Sequence, residues 1–177
     1  MTGANEYGKA LFLITEEDGT TEKVISDVKV ARAVFLSNPD YATLLDTPSL
    51  PKDERVALVD KAFSGIDESL KNLIKLVTEK RLAHEICKIF DTYLDLYDES
   101  RGILRVEAVT AYSLTKSQES ALIKKLSHMT GKTIIVKNSV DPAVLGGMKL
   151  RYSGIQLDGS IKTRLDRFET ALRETIV

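Results

Sequence analysis

The chain has 177 residues, 43% of them hydrophobic and 29% charged, which describes an ordinary globular protein with room for one medium domain or two small ones. No apolar run approaches the ~20 residues of a membrane-spanning helix, residues 1–20 lack the basic start and apolar centre of a secretory signal, and the single cysteine, Cys87, rules out an internal disulfide or a cysteine-built metal cage. Residues 1–101 carry 13 Lys+Arg against 19 Asp+Glu, whereas residues 102–177 carry 12 against 7; this split fits two regions with different partners, or merely two solvated surfaces.

Tyr7, Leu11 and Ile14 fall at i, i+4 and i+7, the face of a first helix that should stop before Asp18-Gly19. Val24, Val28, Ala31 and Phe35 give a second, ended by Asn38-Pro39, and Tyr41, Leu44 and Leu45 a short third. Pro51 suits a first helical turn, with Asp53 and Glu54 at its positive end and Val56, Val59 and Phe63 along the apolar face. Asp67 is placed to cap a fifth helix, whose Leu70, Leu73, Ile74 and Val77 face inward. The sixth stripe runs Leu82, Ile86, Ile89, Phe90, Tyr93, Leu94 and Tyr97, and Cys87 is expected in the core as a small apolar residue. Six helices with short connections and no strand-like alternation predict an N-terminal six-helix bundle over residues 1–101.

After Ser100-Arg101-Gly102 the period changes to two: Leu104, Val106 and Ala108 alternate with Arg105 and Glu107, a strand. Thr115 and Gln118 have the spacing of a capping box for a helix with Leu122, Leu126 and Met129 on one face, ending at Gly131. Thr133 to Val136 is β-branched and reads as a buried strand. Asp141-Pro142 predicts a turn, and Gly146-Gly147 a place for special backbone angles or a close approach. Met148, Leu150 and Tyr152 then alternate with Lys149 and Arg151, Ser153-Gly154 turns the chain, and Ile155 and Leu157 continue the sheet. Asp158-Gly159-Ser160 supplies capping side chains for a last helix through Ile161, Leu165, Phe168 and Leu172. Residues 102–177 are thus expected to form a small α/β domain with a mixed sheet, the whole an α+β two-domain protein.

The order V-D-P at 140–142, G-G at 146–147 and L-D-G-S-I at 157–161, with Arg164-Leu165 behind it, resembles the C-terminal signature of the delta subunit family of the rotary ATP synthase, which includes the mitochondrial oligomycin sensitivity-conferring protein. The opening Y-G-K-A-L-F is similar to the family's Tyr-Ala-x-Ala-Leu-Phe, with Gly8 for the first alanine. Arg81-Leu82 keeps the family's Arg-Leu but lacks the asparagine or glycine of the turn before it, leaving a kink or a tight turn. At 153–156 Ser-Gly-Ile-Gln replaces the usual Gly-Asp and charged residue. The resemblance implies a non-enzymatic stator subunit without cofactors, peripheral on the cytoplasmic face of the cell membrane. It would link the N-terminal helix of an alpha subunit to the C-terminal region of the b subunit of the peripheral stalk. The alpha helix would lie between the first and fifth helices, at Tyr7, Ala10, Leu11, Ile14, Leu73, Leu76 and Val77. Asp141, Gly146, Gly147, Asp158, Gly159, Ser160 and Arg164 would serve the stalk side, by contact or as structural signature.

Other chemistry has less support. His84 and His128 lie in separate predicted domains without a His or Cys at ligand spacing, so no metal site is expected, and His128 suits a helix C-terminus. Gly146-Gly147 followed by Lys149 lacks the remaining features of a phosphate loop. Asp141 and Asp158 could form an acid/base pair, but both stand in turn or cap contexts. Lys124, Lys125, Lys132, Lys137, Lys149 and Arg151 leave open a nucleic-acid-associated protein, though Tyr112, Tyr152 and Phe168 form no stacking platform. An enzyme with an unrecognised site is the third reading.

Overall fold

The structure, a computed structural model, describes residues 3–144, 146–152 and 155–158, and its chain divides into two compact units between Tyr97 and Asp98. Ser153-Gly154 and the predicted closing helix lie outside the described residues.

In the first unit α1 (Gly3–Glu17), α2 (Thr21–Ser37), α3 (Pro39–Asp46), α4 (Lys52–Ala62), α5 (Glu68–Glu79) and α6 (Ile86–Ser100) follow one another, with a 3-10 turn at Ala83–Glu85. Local chemistry sets their ends. Gly19 takes φ +67 after α1, Pro39 opens α3, and the Asp67 carboxylate accepts the Ser69 amide at 3.0 Å. The core joins Val24, Val28, Ala31 and Phe35 of α2 to Ile86, Ile89, Phe90 and Tyr93 of α6, all buried. Phe35 stacks on Phe63 with centroids 5.6 Å apart, and Tyr93 meets Phe12 edge-on at 5.9 Å.

Three expectations change here. The inward face of α1 is not Tyr7–Leu11–Ile14 but Ala4, Gly8, Leu11, Phe12 and Thr15, because Gly8 brings the helix close to α6: a Cβ there would lie 2.6 Å from the Ile89 carbonyl oxygen. Leu82 does not start the sixth helix. The chain breaks in a tight turn in which Arg81 takes φ 57, and Asp46 of α3 caps the 3-10 turn by accepting the amides of Ala83 and His84 at 2.9 and 3.0 Å. Cys87 is half-buried rather than in the core, and burial pushes its thiol pKa up.

Arg55 is only 4% exposed and has no carboxylate partner among the described residues. Its Nη1 donates to Thr78 O at 2.7 Å and Leu45 O at 3.3 Å, in the last turns of α5 and α3. Helix C-termini present spare carbonyls and the negative end of the dipole, so two of them take the place of a counter-ion. Arg55 Nε and Thr78 Oγ1 have no hydrogen-bond partner among the described residues.

The second unit holds β1 (Ile103–Thr110), α7 (Lys116–Thr130), β2 (Thr133–Val140), β3 (Met148–Tyr152) and β4 (Ile155–Asp158). The sheet order is β2-β1-β3-β4, with β1 parallel to β2 and the other pairs antiparallel, so the sheet is mixed. Central β1 buries Val106, Ala108, Val109 and Thr110. Asp98 belongs with this unit because Arg105 grips its carboxylate through Nε and Nη2. The Thr115–Gln118 capping box forms on both sides, and Gly131 ends α7 at φ 69. One expectation fails, that of a buried strand at Thr133–Val136. β2 is an outer strand of the described sheet, with Ile134 buried but Ile135 40% exposed. α7 buries no residue fully, and Met129 is 71% exposed.

Candidate functional site

Once α1 is turned so that Ala4, Gly8, Leu11, Phe12 and Thr15 face the core, the neighbouring row Tyr7, Ala10 and Ile14 lies along its flank. On α5 the inward row is Leu70, Leu73, Ile74, Val77 and Thr78, which leaves Ser69, Asn72 and Leu76 beside it. The two flanking rows meet in a groove of about 410 Å³. Its floor is Leu11 and Leu73, 2% and 8% exposed, and its lips are Ile14 and Leu76, 48% and 41% exposed. Tyr7 and Ala10 extend the α1 side, and Ser69 and Asn72 add polar side chains from α5.

Six of the seven residues expected between the first and fifth helices therefore line one groove. The exception is Val77, which is fully buried and faces the core, one turn from Leu73 on the inward row. Ser69 and Asn72 were not anticipated, although both follow from i, i+3 and i+4 spacing against Leu73 and Leu76. The groove lining carries no charge; Lys71 and Lys75 nearby are held by Glu68 and Asp60, each at 2.6 Å.

The other predicted set lies in the second unit. Asp141 builds a turn: its amide donates to Thr110 O at 2.9 Å, its carboxylate accepts the Ala143 amide at 2.9 Å, and its carbonyl the Val144 amide at 3.0 Å. Gly146 and Gly147 have φ 144 and 76, a region closed to most side chains, and Met148 then pairs with Thr110 at the end of β1. Asp158 ends β4, its carboxylate 3.7 Å from Lys149 across the β3–β4 pair, and the helix it was expected to cap lies outside the described residues. Gly159, Ser160 and Arg164 lie outside the described residues. His84 Nδ1 is 2.7 Å from Asp46, and His128 is exposed in the last turn of α7. Among the described residues no group of three His, Cys, Asp or Glu is placed to hold a metal ion, and no helix is long and apolar enough to cross a membrane.

The family model of the ATP synthase delta (OSCP) subunit matches residues 4–172, nearly the whole chain. The chain belongs to the ATP synthase delta (OSCP) subunit family. Among its relatives, the ATP synthase subunit delta of Rhodospirillum rubrum is 30% identical over 98% of this chain and 95% of its own length. That of Clostridioides difficile is also 30% identical, over 98% and 97%. A chain in the cryo-EM structure of the Toxoplasma gondii mitochondrial ATP synthase hexamer has a similar fold, with TM-score 0.75 over 97% of this chain and 98% of that one, at 21% identity. The delta family thus matches from the groove-bearing helices to the signature strands.

Proposed function

We propose that this chain is the stator connector of a proton-translocating ATP synthase, tying the top of the catalytic head to the peripheral stalk so that the head resists rotor torque. It works by binding alone, as a peripheral protein on the cytoplasmic face of the membrane. Residues 1–101, a six-helix bundle, take the N-terminal helix of an alpha subunit in the groove between α1 and α5. Residues 102–177 take the C-terminal region of a b subunit, with Asp141, Gly146 and Gly147 shaping that side.

One observation carries the reading. Ile14 and Leu76 stand exposed on the two sides of a groove with a buried leucine floor, on helices whose core faces are complete without them. Such a groove suits an amphipathic helix with apolar anchors at i, i+3/i+4 and i+7. The test is titration of the full chain with a synthetic peptide of its cognate alpha-subunit N-terminus. Leu76→Ala should leave helicity intact and weaken binding about tenfold, since covering a half-exposed leucine contributes roughly 1–2 kcal/mol. No binding by the folded protein would sink the groove, and unfolding by Leu76→Ala would assign the residue to the core.

A further inference from the structure

The order β2-β1-β3-β4 leaves β2 with one neighbour: among the described residues its eight residues, Thr133–Val140, pair with β1 and with no other strand. The far side of such a strand presents a row of backbone N–H and C=O groups, a template for a further strand. Thr133-Ile134-Ile135-Val136 has the β-branched, uncharged composition that pairs most readily. Ile135 is 40% and Val140 49% exposed, so apolar side chains accompany the open edge. Lys137, the one charged residue of β2, interrupts them. The register sets it opposite Glu107 of β1, yet Glu107 accepts the Ser139 hydroxyl at 2.7 Å and lies 3.7 Å from Arg151 of β3. Lys137 itself is exposed and has no hydrogen bond or ion pair among the described residues, so its charge stands uncompensated at the middle of the strand.

We propose that the β2 edge is a self-association surface, fitted to the β2 edge of a second copy of this chain, and that Lys137 holds it closed. Two such edges meet antiparallel about a two-fold axis. In a continuous sheet, residues facing each other across the pair point to the same side, so the overlap is fullest when centred on Val136 or on Lys137. Centred on Lys137, the two ammonium groups stand directly opposite each other, where like charges repel. Centred on Val136, each Lys137 meets Ile135 of the second copy and sets its charge against an apolar side chain. Neither register offers the lysine an acid, because β2 contains none. A charged lysine in the middle of an open strand is a recurring means of keeping sheet edges apart.

The experiment compares self-association of the full chain and its variants by sedimentation velocity over a concentration series, with circular dichroism to establish that each is folded. Lys137→Val removes the charge and keeps a β-branched residue; it is expected to self-associate about tenfold more tightly than the parent. Lys137→Gln keeps the length without the charge and should do so to a smaller degree, which carries the test if valine upsets the fold. Lys137→Arg should behave as the parent, and so should Lys132→Val, which places the same apolar gain just before the strand. In the associated Lys137→Val protein, hydrogen exchange should slow at amides within Thr133–Val140 relative to the parent. Folded Lys137→Val and Lys137→Gln proteins that associate no more than the parent overturn the proposal. Association without added protection in β2, or equal association of Lys132→Val, assigns the effect to apolar surface elsewhere and overturns it as well.

Discussion

At Gly8 two effects oppose each other, and the structure decides the sign. Alanine is a better mid-helix residue than glycine by about 1 kcal/mol, which alone would make Gly8→Ala stabilising. A Cβ at this position, however, would lie 2.6 Å from Ile89 O and 2.7 Å from Thr92 Cβ. Neither neighbour swings away, since one is α6 backbone and the other is bonded to it. α1 must retreat by several tenths of an ångström, a form of overpacking that costs roughly 1–3 kcal/mol. The retreat also loosens Leu11 and Phe12 in the core and the 3.1 Å hydrogen bond between Thr15 and Tyr93. The net expectation for Gly8→Ala is a loss of roughly 1–2 kcal/mol in the first unit. Urea unfolding of the full chain followed by far-ultraviolet circular dichroism measures it. Ala10→Gly, at an exposed position of the same helix, reports propensity alone and should lose about 1 kcal/mol. A Gly8→Ala protein as stable as the parent would show that α1 and α6 do not need their close approach.

Arg55→Ala should destabilise the first unit by roughly 3 kcal/mol, because a buried side chain and its charge-assisted bonds to Leu45 O and Thr78 O vanish together; parent-like unfolding would mean that the two helix ends need no shared cation. Burial raises the phenol pKa of Tyr93 above its ordinary 10.0, against the pull of the Thr15 hydrogen bond, and burial likewise raises that of Tyr41. A raised folded-state value gives stability that is complete below pH 10.0 and is lost as pH rises through the folded pKa, so alkaline titration should unfold the first unit and Tyr93→Phe should flatten that decline. An unaltered alkaline profile in Tyr93→Phe would remove Tyr93 as a cause. Gly147→Val forces a β-branched residue to φ 76 and should cost the second unit roughly 1–2 kcal/mol or more while leaving the helical unit folded; wild-type melting of both units would contradict it.

The helix ends were legible because their signals are local. Asp18-Gly19, Asn38-Pro39, Asp67, the Thr115–Gln118 box and Gly131 each act within a few residues of where they stand. Burial was less legible because it depends on neighbours distant in sequence. Thr133 to Val136 has the composition of an inner strand, yet among the described residues β2 pairs on one side only, and no local feature of the run encodes that. The break at Arg81-Leu82 was visible as an irregularity, but its form depends on Asp46, 37 residues from Ala83. Arg55 gave no signal at all. The partners that make its burial tolerable are two carbonyls from other helices.

The groove shows how one such distant contact propagates to a surface. The apolar residues of α1 exceed what one core face requires, so the sequence leaves two rows to choose between, Tyr7–Leu11–Ile14 and Ala4–Gly8–Leu11–Phe12–Thr15. Every member of the first row is hydrophobic, against three of five in the second. Close packing favours the second, because only a row containing Gly8 lets α1 approach the Ile89 carbonyl of α6, and Thr15 then finds Tyr93 for its hydroxyl. Choosing that row turns Ile14 out of the core and into the groove beside α5. Gly8 and the exposed lips are therefore consequences of one packing decision. A substitution that pushes α1 off α6 should accordingly alter peptide affinity as well as stability, although Gly8 itself does not line the groove.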